Sequence, residues 1–268
     1  VENMSIKLVG KVTLVGAGPG DPELLTLKAV RAIEAAEVVV HDRLVTPEIL
    51  DLIPADAERV DVGKRTNHHP VPQDEINALL VGYAKAGRNV VRLKGGDPFI
   101  FGRGCEEAAA LVAAGVPYAV VPGITAAQGA AASAGVPLTH RGLARSVRYV
   151  TGHCRADEPL DLDWAGLADR ETTLVVYMGR ASIREFAAEL MAQGRAGETP
   201  VLAVANATTR DERRLASRLA TIEADIEAAG LASPIVFIIG EVAGLAETEI
   251  IDVAVPAGAI VVKEAVYA

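Results

Sequence analysis

The sequence predicts an α/β protein of two domains, and three observations carry that prediction. Short apolar runs of strand character alternate with segments of helical apolar spacing. Hydrophobic residues make up 50% of the 268 positions but aromatic ones only 4%, so the core must be Val, Leu, Ile and Ala. That bias suits buried parallel strands packed between Ala-rich helices. The alternation also restarts after a basic segment at residues 141–148, which marks a junction between two units.

The elements follow in order. Residues 11–15 are apolar and form the first strand. Residues 24–36 have helical spacing, with Asp21 as N-cap and Pro22 at the first helical position. Strands at 37–41 and 59–62 flank a short helix at 47–52. An amphipathic helix at 74–86 starts at Asp74 and stops at Gly87. Strands at 89–93 and 118–121 enclose a helix at 106–114. In the second unit, strands are expected at 147–151, 173–177, 200–205, 215–220 and 235–239. Helices are expected at 183–193 and at 221–229, the latter capped by Thr221. The boundaries read as 8–140 for the first domain, 141–248 for the second and 249–268 for a tail.

Composition excludes several classes. A net charge of −9 lacks the basic footprint of a nucleic-acid binder, while leaving room for a local basic cleft around an anionic small molecule. Residues 108–138 carry no charge, but Gly115, Pro117, Pro122 and Gly123 cut them into pieces too short to span a bilayer; a buried helix, a strand and a second helix fit better. Cys105 and Cys154 are far apart and suggest a reducing compartment without a disulfide framework or a metal site. With no basic and apolar leader pattern at the N-terminus, a cytoplasmic protein outside the membrane is expected.

Two glycine-rich loops carry the chemistry. Lys94-Gly95-Gly96-Asp97-Pro98 follows a strand, where open α/β sheets place ligands. Two glycines allow close backbone approach, and Asp97 can accept hydrogen bonds from hydroxyls or an amine. Turn chemistry alone would select the same residues equally well. Gly16-Ala17-Gly18-Pro19-Gly20-Asp21 invites a dinucleotide reading, with Asp42 as the ribose acid. Its sixth position is Asp21 rather than Gly, however, and Pro19 has no N–H to offer a pyrophosphate. Such a loop suits a ligand without phosphates.

Residues 15–29, from Val15-Gly16-Ala17-Gly18-Pro19-Gly20-Asp21-Pro22 onward, resemble the first signature of the uroporphyrinogen-III C-methyltransferases, members of the tetrapyrrole methylase family. Arg92 to Gly104 with Glu106-Glu107 resembles the second signature. Pro122-Gly123-Ile124-Thr125-Ala126-Ala127, Leu138-Thr139-His140-Arg141, Tyr177-Met178-Gly179 and Asn206-Ala207-Thr208-Thr209 resemble further blocks, in matching order over roughly residues 11–245.

The resemblance implies two α/β domains with mixed, mostly parallel sheets, an inter-domain active-site cleft and a homodimer. It implies S-adenosylmethionine as methyl donor, S-adenosylhomocysteine as product, and two successive methylations of uroporphyrinogen III, at C-2 and C-7, to precorrin-2. Other corrin-pathway methylases and a non-catalytic adenosylmethionine-binding protein share the cofactor loops; the long second block and Leu138-Thr139-His140-Arg141 favour the first-step enzyme. By the same resemblance Pro19, Gly95, Gly96, Asp97, Ile100, Thr125, Ala126, Met178, Ala207 and Ile235 line the cofactor site. Asp42 and Lys64 correspond to proton acceptor and proton donor, and Arg43, Leu44, Phe101, Arg103, Arg141 and Tyr177 face the tetrapyrrole. The residues themselves leave alternatives: Thr125 also suits a helix cap, Met178 and Phe101 suit core filler, Asp42 suits an acid paired with Arg43, and Lys64 suits a cation that only neutralises substrate carboxylates. Arg65, His68, His69, His140, Arg145 and Arg148 join the expected basic cleft. Ala207 stands where the family usually has Gly, and a positive φ there would strain the loop; Cys105 also replaces a common glycine.

Overall fold

The computed structural model describes residues 9–63, 71–153 and 160–246. It contains two five-stranded sheets with helices around them, the α/β class expected.

The first sheet contains β1 (Val12–Gly16), β2 (Val38–His41), β3 (Glu58–Asp61), β4 (Val90–Lys94) and β5 (Tyr118–Val121). Its order is β3-β2-β4-β1-β5, parallel throughout. Parallel pairing needs crossovers, and α1 (Leu27–Glu34), α2 (Pro47–Leu50), α3 (Gln73–Lys85) and α4 (Gly104–Ala113) supply them. Both faces are therefore covered. Val15, Val39, Val91 and Leu93 pack with Ile33 of α1 and Ile49 of α2. Val12, Leu14, Val40 and Val90 pack with Leu80 of α3 and Leu111 of α4. This is why the strands read as continuous apolar runs rather than alternating ones. Edge strand β3, by contrast, is largely exposed and carries Glu58, Arg59 and Asp61, charges that discourage pairing with another chain.

The second sheet contains β6 (Ser146–Thr151), β7 (Thr172–Tyr177), β8 (Pro200–Ala205), β9 (Arg213–Arg218) and β10 (Ile235–Ile239), in the order β6-β7-β10-β8-β9. Only β6 and β7 run parallel; β10 pairs antiparallel with β7 and β8, and β8 with β9. Hence the sheets are mixed and mostly parallel as a pair, while the second taken alone is mostly antiparallel. One face packs on α7 (Ile183–Ala192) and α8 (Ile222–Ala228) through Phe186, Leu190, Ile222 and Ile226. The other face receives α5 (Ala126–Ser133), the second helix expected in the uncharged stretch. Ala127, Ala130, Ala131 and Ala134 recur at helical spacing and pack with Val175, Tyr177, Val204 and Val236. So α5, continuous with the first sheet in sequence, is the helix through which the two sheets meet.

Local expectations differ from the structure in several places. The helix expected over 24–36 is divided: Asp21 caps a 3-10 turn, Pro22–Leu24, and Thr26 then takes an extended conformation to cap α1. Its hydroxyl accepts the Ala29 N–H at 3.1 Å, an arrangement a continuous helix could not offer. Asp74 lies inside the first turn of α3, where its charge suits the helix dipole, and the N-cap position is Pro72. The Thr221 hydroxyl donates to Asp225 (2.7 Å) instead of capping α8. β9 begins upstream of the expected strand, because the β8 ladder pairs Ala205 with Arg213; Leu219 instead packs in the core after the strand has ended. A short helix, α6 (Trp164–Leu167), was not legible; Asp163 caps it by accepting the Gly166 N–H. Among the described residues no helix is long and apolar enough to cross a membrane.

Candidate active site

The carboxyl ends of β1, β2, β4 and β5 open onto one cavity, closed on its other side by the second sheet. Its volume is about 760 Å³, within the range of small-molecule sites. The two glycine loops are tied together at its base. Gly18 N–H donates to the Gly96 carbonyl at 3.1 Å, and Gly96 N–H returns a bond to the Gly18 carbonyl at 2.7 Å. This contact leaves no room for side chains. A Cβ on Gly16 would lie 2.6 Å from the Gly96 carbonyl oxygen, and one on Gly123 would lie 2.2 Å from it. The Asp97 carboxylate braces the same loop, accepting the Phe99 N–H at 2.8 Å and the Gly123 N–H at 3.0 Å. Its remaining lone pairs are available to a ligand. The loop is thus both a constructed turn and a cavity wall, so the two readings of its sequence are not exclusive.

The second sheet supplies the opposite wall through Tyr177 and Met178 at the end of β7, the loop after β8, and Pro234 and Val236. Tyr177 crosses between the sheets. Its hydroxyl accepts the Ala127 N–H at 3.1 Å and lies 2.5 Å from the Thr125 hydroxyl. Its ring packs on Phe101 at 5.0 Å and on Tyr149 at 5.8 Å. Burial pushes the Tyr177 phenol pKa up, against the lowering effect of its bonds to Thr125 and Ala127. Thr125 occupies the N-cap position of α5, but its side chain makes no capping bond; it serves the contact with Tyr177.

Backbone strain concentrates here. The non-glycine residues with positive φ among those described are Phe101, Arg103, Met178, Asn206 and Thr208, and the first four line the cavity. Such residues persist where the surroundings over-determine them, which is characteristic of functional sites. Ala207 is not among them, so the replacement of the usual glycine does not itself strain the loop.

Of the expected cofactor residues, the cavity wall brings together Pro19, Gly95, Gly96, Asp97, Ile100, Thr125, Ala126, Met178 and Ala207. Ile235 does not line it: the side chain is buried inside β10 while Pro234 and Val236 face the cavity. Of the expected tetrapyrrole residues, Arg43, Leu44, Phe101, Arg103 and Tyr177 line the cavity, whereas Arg141 is exposed outside it. Arg145 and Arg148 lie on the surface and pair with Glu171 and Asp163. Lys64, Arg65, His68 and His69 lie outside the described residues.

Asp42 sits at the end of β2, on the cavity, its side chain 25% exposed. Its Oδ1 accepts the Leu44 N–H at 2.9 Å, which turns the chain into the loop bearing Arg43. Behind it stands a charged group that the sequence reading passed over. Arg92 and Lys94 occupy alternate positions of β4, so they share one face of a strand buried along its whole length. Arg92 Nε and Lys94 Nζ meet the same oxygen of Glu107, at 3.0 and 2.9 Å. Gln73 adds a longer bond to that oxygen, at 3.3 Å. Arg92 also reaches toward Asp42, with Nη2 3.9 Å from Oδ2. Burial pushes the Lys94 pKa down and neighbouring Arg92 adds to this, while Glu107 and Asp42 oppose it. The sequence signal was present: two cations inside the apolar run Val90-Val91-Arg92-Leu93-Lys94 require a buried anion. The sequence does not show which acid supplies it.

An acid with a buried cation behind it, on a cavity of small-molecule size between two sheets, defines a two-sheet α/β enzyme acting on small molecules. The chain belongs to the tetrapyrrole (corrin/porphyrin) methylases, whose family model matches residues 11–223. It is 56% identical over 239 residues to a uroporphyrinogen-III C-methyltransferase of Paracoccus denitrificans, covering 89% of this chain and 83% of the relative. It is 54% identical to a siroheme synthase of Tolumonas auensis over 89% of this chain but only 50% of the relative, so it spans about half the length of such proteins. A crystal structure of uroporphyrin-III C-methyltransferase from Thermus thermophilus, complexed with S-adenosylhomocysteine, superposes with a TM-score of 0.75 at 44% identity, covering 88% of this chain and 94% of that one.

Proposed function

We propose that this chain is an S-adenosylmethionine-dependent C-methyltransferase that methylates uroporphyrinogen III twice, at C-2 and C-7, to give precorrin-2 for sirohaem and cobalamin synthesis. The observation that carries the reading is that Asp42 and the Gly95-Gly96-Asp97 loop, which follow neighbouring strands, line one cavity. The relatives' names support the substrate, and the bound product in the Thermus structure supports the methyl donor.

The cavity fits that donor by its chemistry. Asp97 offers carboxylate lone pairs to an ammonium or hydroxyls, Thr125 a hydroxyl, and Gly95, Gly96, Ala126 and Ala207 backbone close to the ligand. Pro19, Ile100 and Met178 add apolar surface. The donor supplies an electrophilic methyl group on a sulfonium. The chain's residues do the rest. Methylating a pyrrole carbon leaves a cationic ring that must lose a proton, and Asp42 stabilises that charge and accepts the proton. Arg43 and Arg103 engage the substrate's carboxylates, for which a guanidinium offers a two-pronged donor. Arg103 is held meanwhile by Glu106 at 2.8 and 2.7 Å, so it exchanges one carboxylate for another when substrate arrives. Leu44, Phe101 and Tyr177 shape the apolar wall. Lys64 acts as proton donor, and the enzyme works as a cytoplasmic homodimer.

The test is direct. Purified protein with uroporphyrinogen III and labelled methyl donor is expected to yield a dimethylated product; donor binding without transfer would remove the enzymatic reading. Asp42→Asn is expected to lower kcat about 10²-fold or more, the usual scale for a general base, with S-adenosylhomocysteine affinity unchanged by calorimetry.

A further inference from the structure

The buried charges behind Asp42 do not balance locally. Glu107 is fully buried in the first turn of α4, where a carboxylate is favoured by the helix dipole. Arg92, Lys94 and Gln73 all converge on its Oε1, while its Oε2 is buried without a hydrogen-bond partner. One carboxylate therefore faces two cations, leaving one positive charge in excess. Arg92 cannot swing to relieve this. Its Nε is held by Glu107 at 3.0 Å, and its Nη1 donates to the carbonyls of Leu93 at 3.1 Å and Val40 at 3.4 Å. Only Nη2 remains, and it lies 3.9 Å from Asp42 Oδ2, an ion-pair contact rather than a hydrogen bond. The opposite oxygen, Oδ1, is fixed by the Leu44 N–H.

We infer that Arg92, pinned by Glu107 with Lys94 completing the charge, is a positioning residue that holds the Asp42 carboxylate in its orientation toward the cavity. The excess positive charge of the buried group is directed at Asp42, and the fork of the guanidinium lets one side chain be anchored at Nε while serving Asp42 from Nη2. A lysine at this position could reach one acid but not both, so size and charge alone do not replace it.

This inference rests on the catalytic reading of Asp42, and a double-mutant cycle separates the two. Arg92→Met leaves Glu107 paired with Lys94 and is expected to lower kcat roughly 10- to 100-fold, a loss of about 1.4 to 2.7 kcal/mol in barrier terms. The KM for the methyl donor and the calorimetric affinity for S-adenosylhomocysteine are expected to stay within about twofold. In an Asp42→Asn background the same change is expected to cost less than about threefold, because its target is already gone. Arg92→Lys is expected not to restore the rate. Glu107→Gln, which keeps Arg92 but loosens its anchor, is expected to show the same non-additivity in smaller measure, and it decides the question if Arg92→Met does not fold. Equal penalties in both backgrounds, a loss of cofactor affinity matching the loss of rate, or full rescue by lysine would each overturn the inference. An inert wild-type protein would overturn both this and the proposed function; an active one with additive penalties overturns this alone.

Discussion

Single atoms decide much at the base of the cavity. Gly16 and Gly123 approach the Gly96 carbonyl so closely that no Cβ fits, and the obstacle is backbone, which cannot rotate away. Gly123→Ala is expected to destabilise the protein by about 1–3 kcal/mol, the usual cost of overpacking, and to weaken S-adenosylhomocysteine binding, read by thermal unfolding and calorimetry. Ala207 makes the opposite case. Its φ is not positive and its side chain is buried, so Ala207→Gly is expected to leave cofactor affinity within about twofold and to lose about 0.5–1 kcal/mol of stability through chain entropy. An Ala207→Gly protein that bound the cofactor many times more tightly would show that alanine does obstruct the site. The strain lies instead at Asn206 and Thr208 on either side.

Elements set the distances between these residues. β4 lies centrally, between β2 and β1, and so carries Arg92 and Lys94 to the cavity floor, both within reach of Glu107 on α4 and Arg92 also near Asp42, just past the end of β2. α5 joins the sheets through its alanine face and through the bonds of Thr125 and Ala127 to Tyr177. Tyr177→Phe leaves both partners with a lost bond, and about 1–3 kcal/mol of stability is expected to go with it, measured by denaturant unfolding. The burial that raises the Tyr177 pKa gives the same side chain an alkaline signature. A phenol whose folded pKa lies above its ordinary 10.0 contributes stability that is complete below pH 10 and is lost as pH rises through the folded value. Lys94 acts in the opposite sense: its folded pKa lies below the ordinary 10.5, so the cost of burying its charge is relieved as pH climbs from the folded value toward 10.5. Wild type is therefore expected to lose more stability above pH 10 than Tyr177→Phe does, in denaturant titrations at matched pH.

At the scale of the molecule, an acidic chain places Arg43, Arg92, Lys94, Arg103 and Arg210 around a single cavity. Asp42, Glu48, Asp97 and Asp211 line the same cavity, so its cations exceed its carboxylates by only one; against a net charge of −9 for the chain, that local balance still admits a polycarboxylate ligand. Raising salt from about 0.05 to 0.5 M is accordingly expected to raise the KM for uroporphyrinogen III several-fold while leaving that for S-adenosylmethionine nearly constant, because only the first is held mainly by charge.

The sequence by itself determined the α/β class, most strand positions, and the loops that form the cavity. Each of those is written in short-range terms: apolar period, capping residues, glycines after strands. It also singled out Asp42 and Asp97, through motifs that are contiguous in the chain. Helix starts were less legible, as at Thr26 and Asp74, because several neighbouring polar residues could cap and only the backbone conformation selects one. The tertiary structure alone decided which acid answers Arg92 and Lys94, that the second sheet is mostly antiparallel, and that Ile235 and Arg141 do not line the cavity while their motif neighbours do. The physical reason is common to all of these. Buried charge, strand pairing and cavity exposure depend on groups distant in the chain, and their energies are settled only when packing fixes who faces whom.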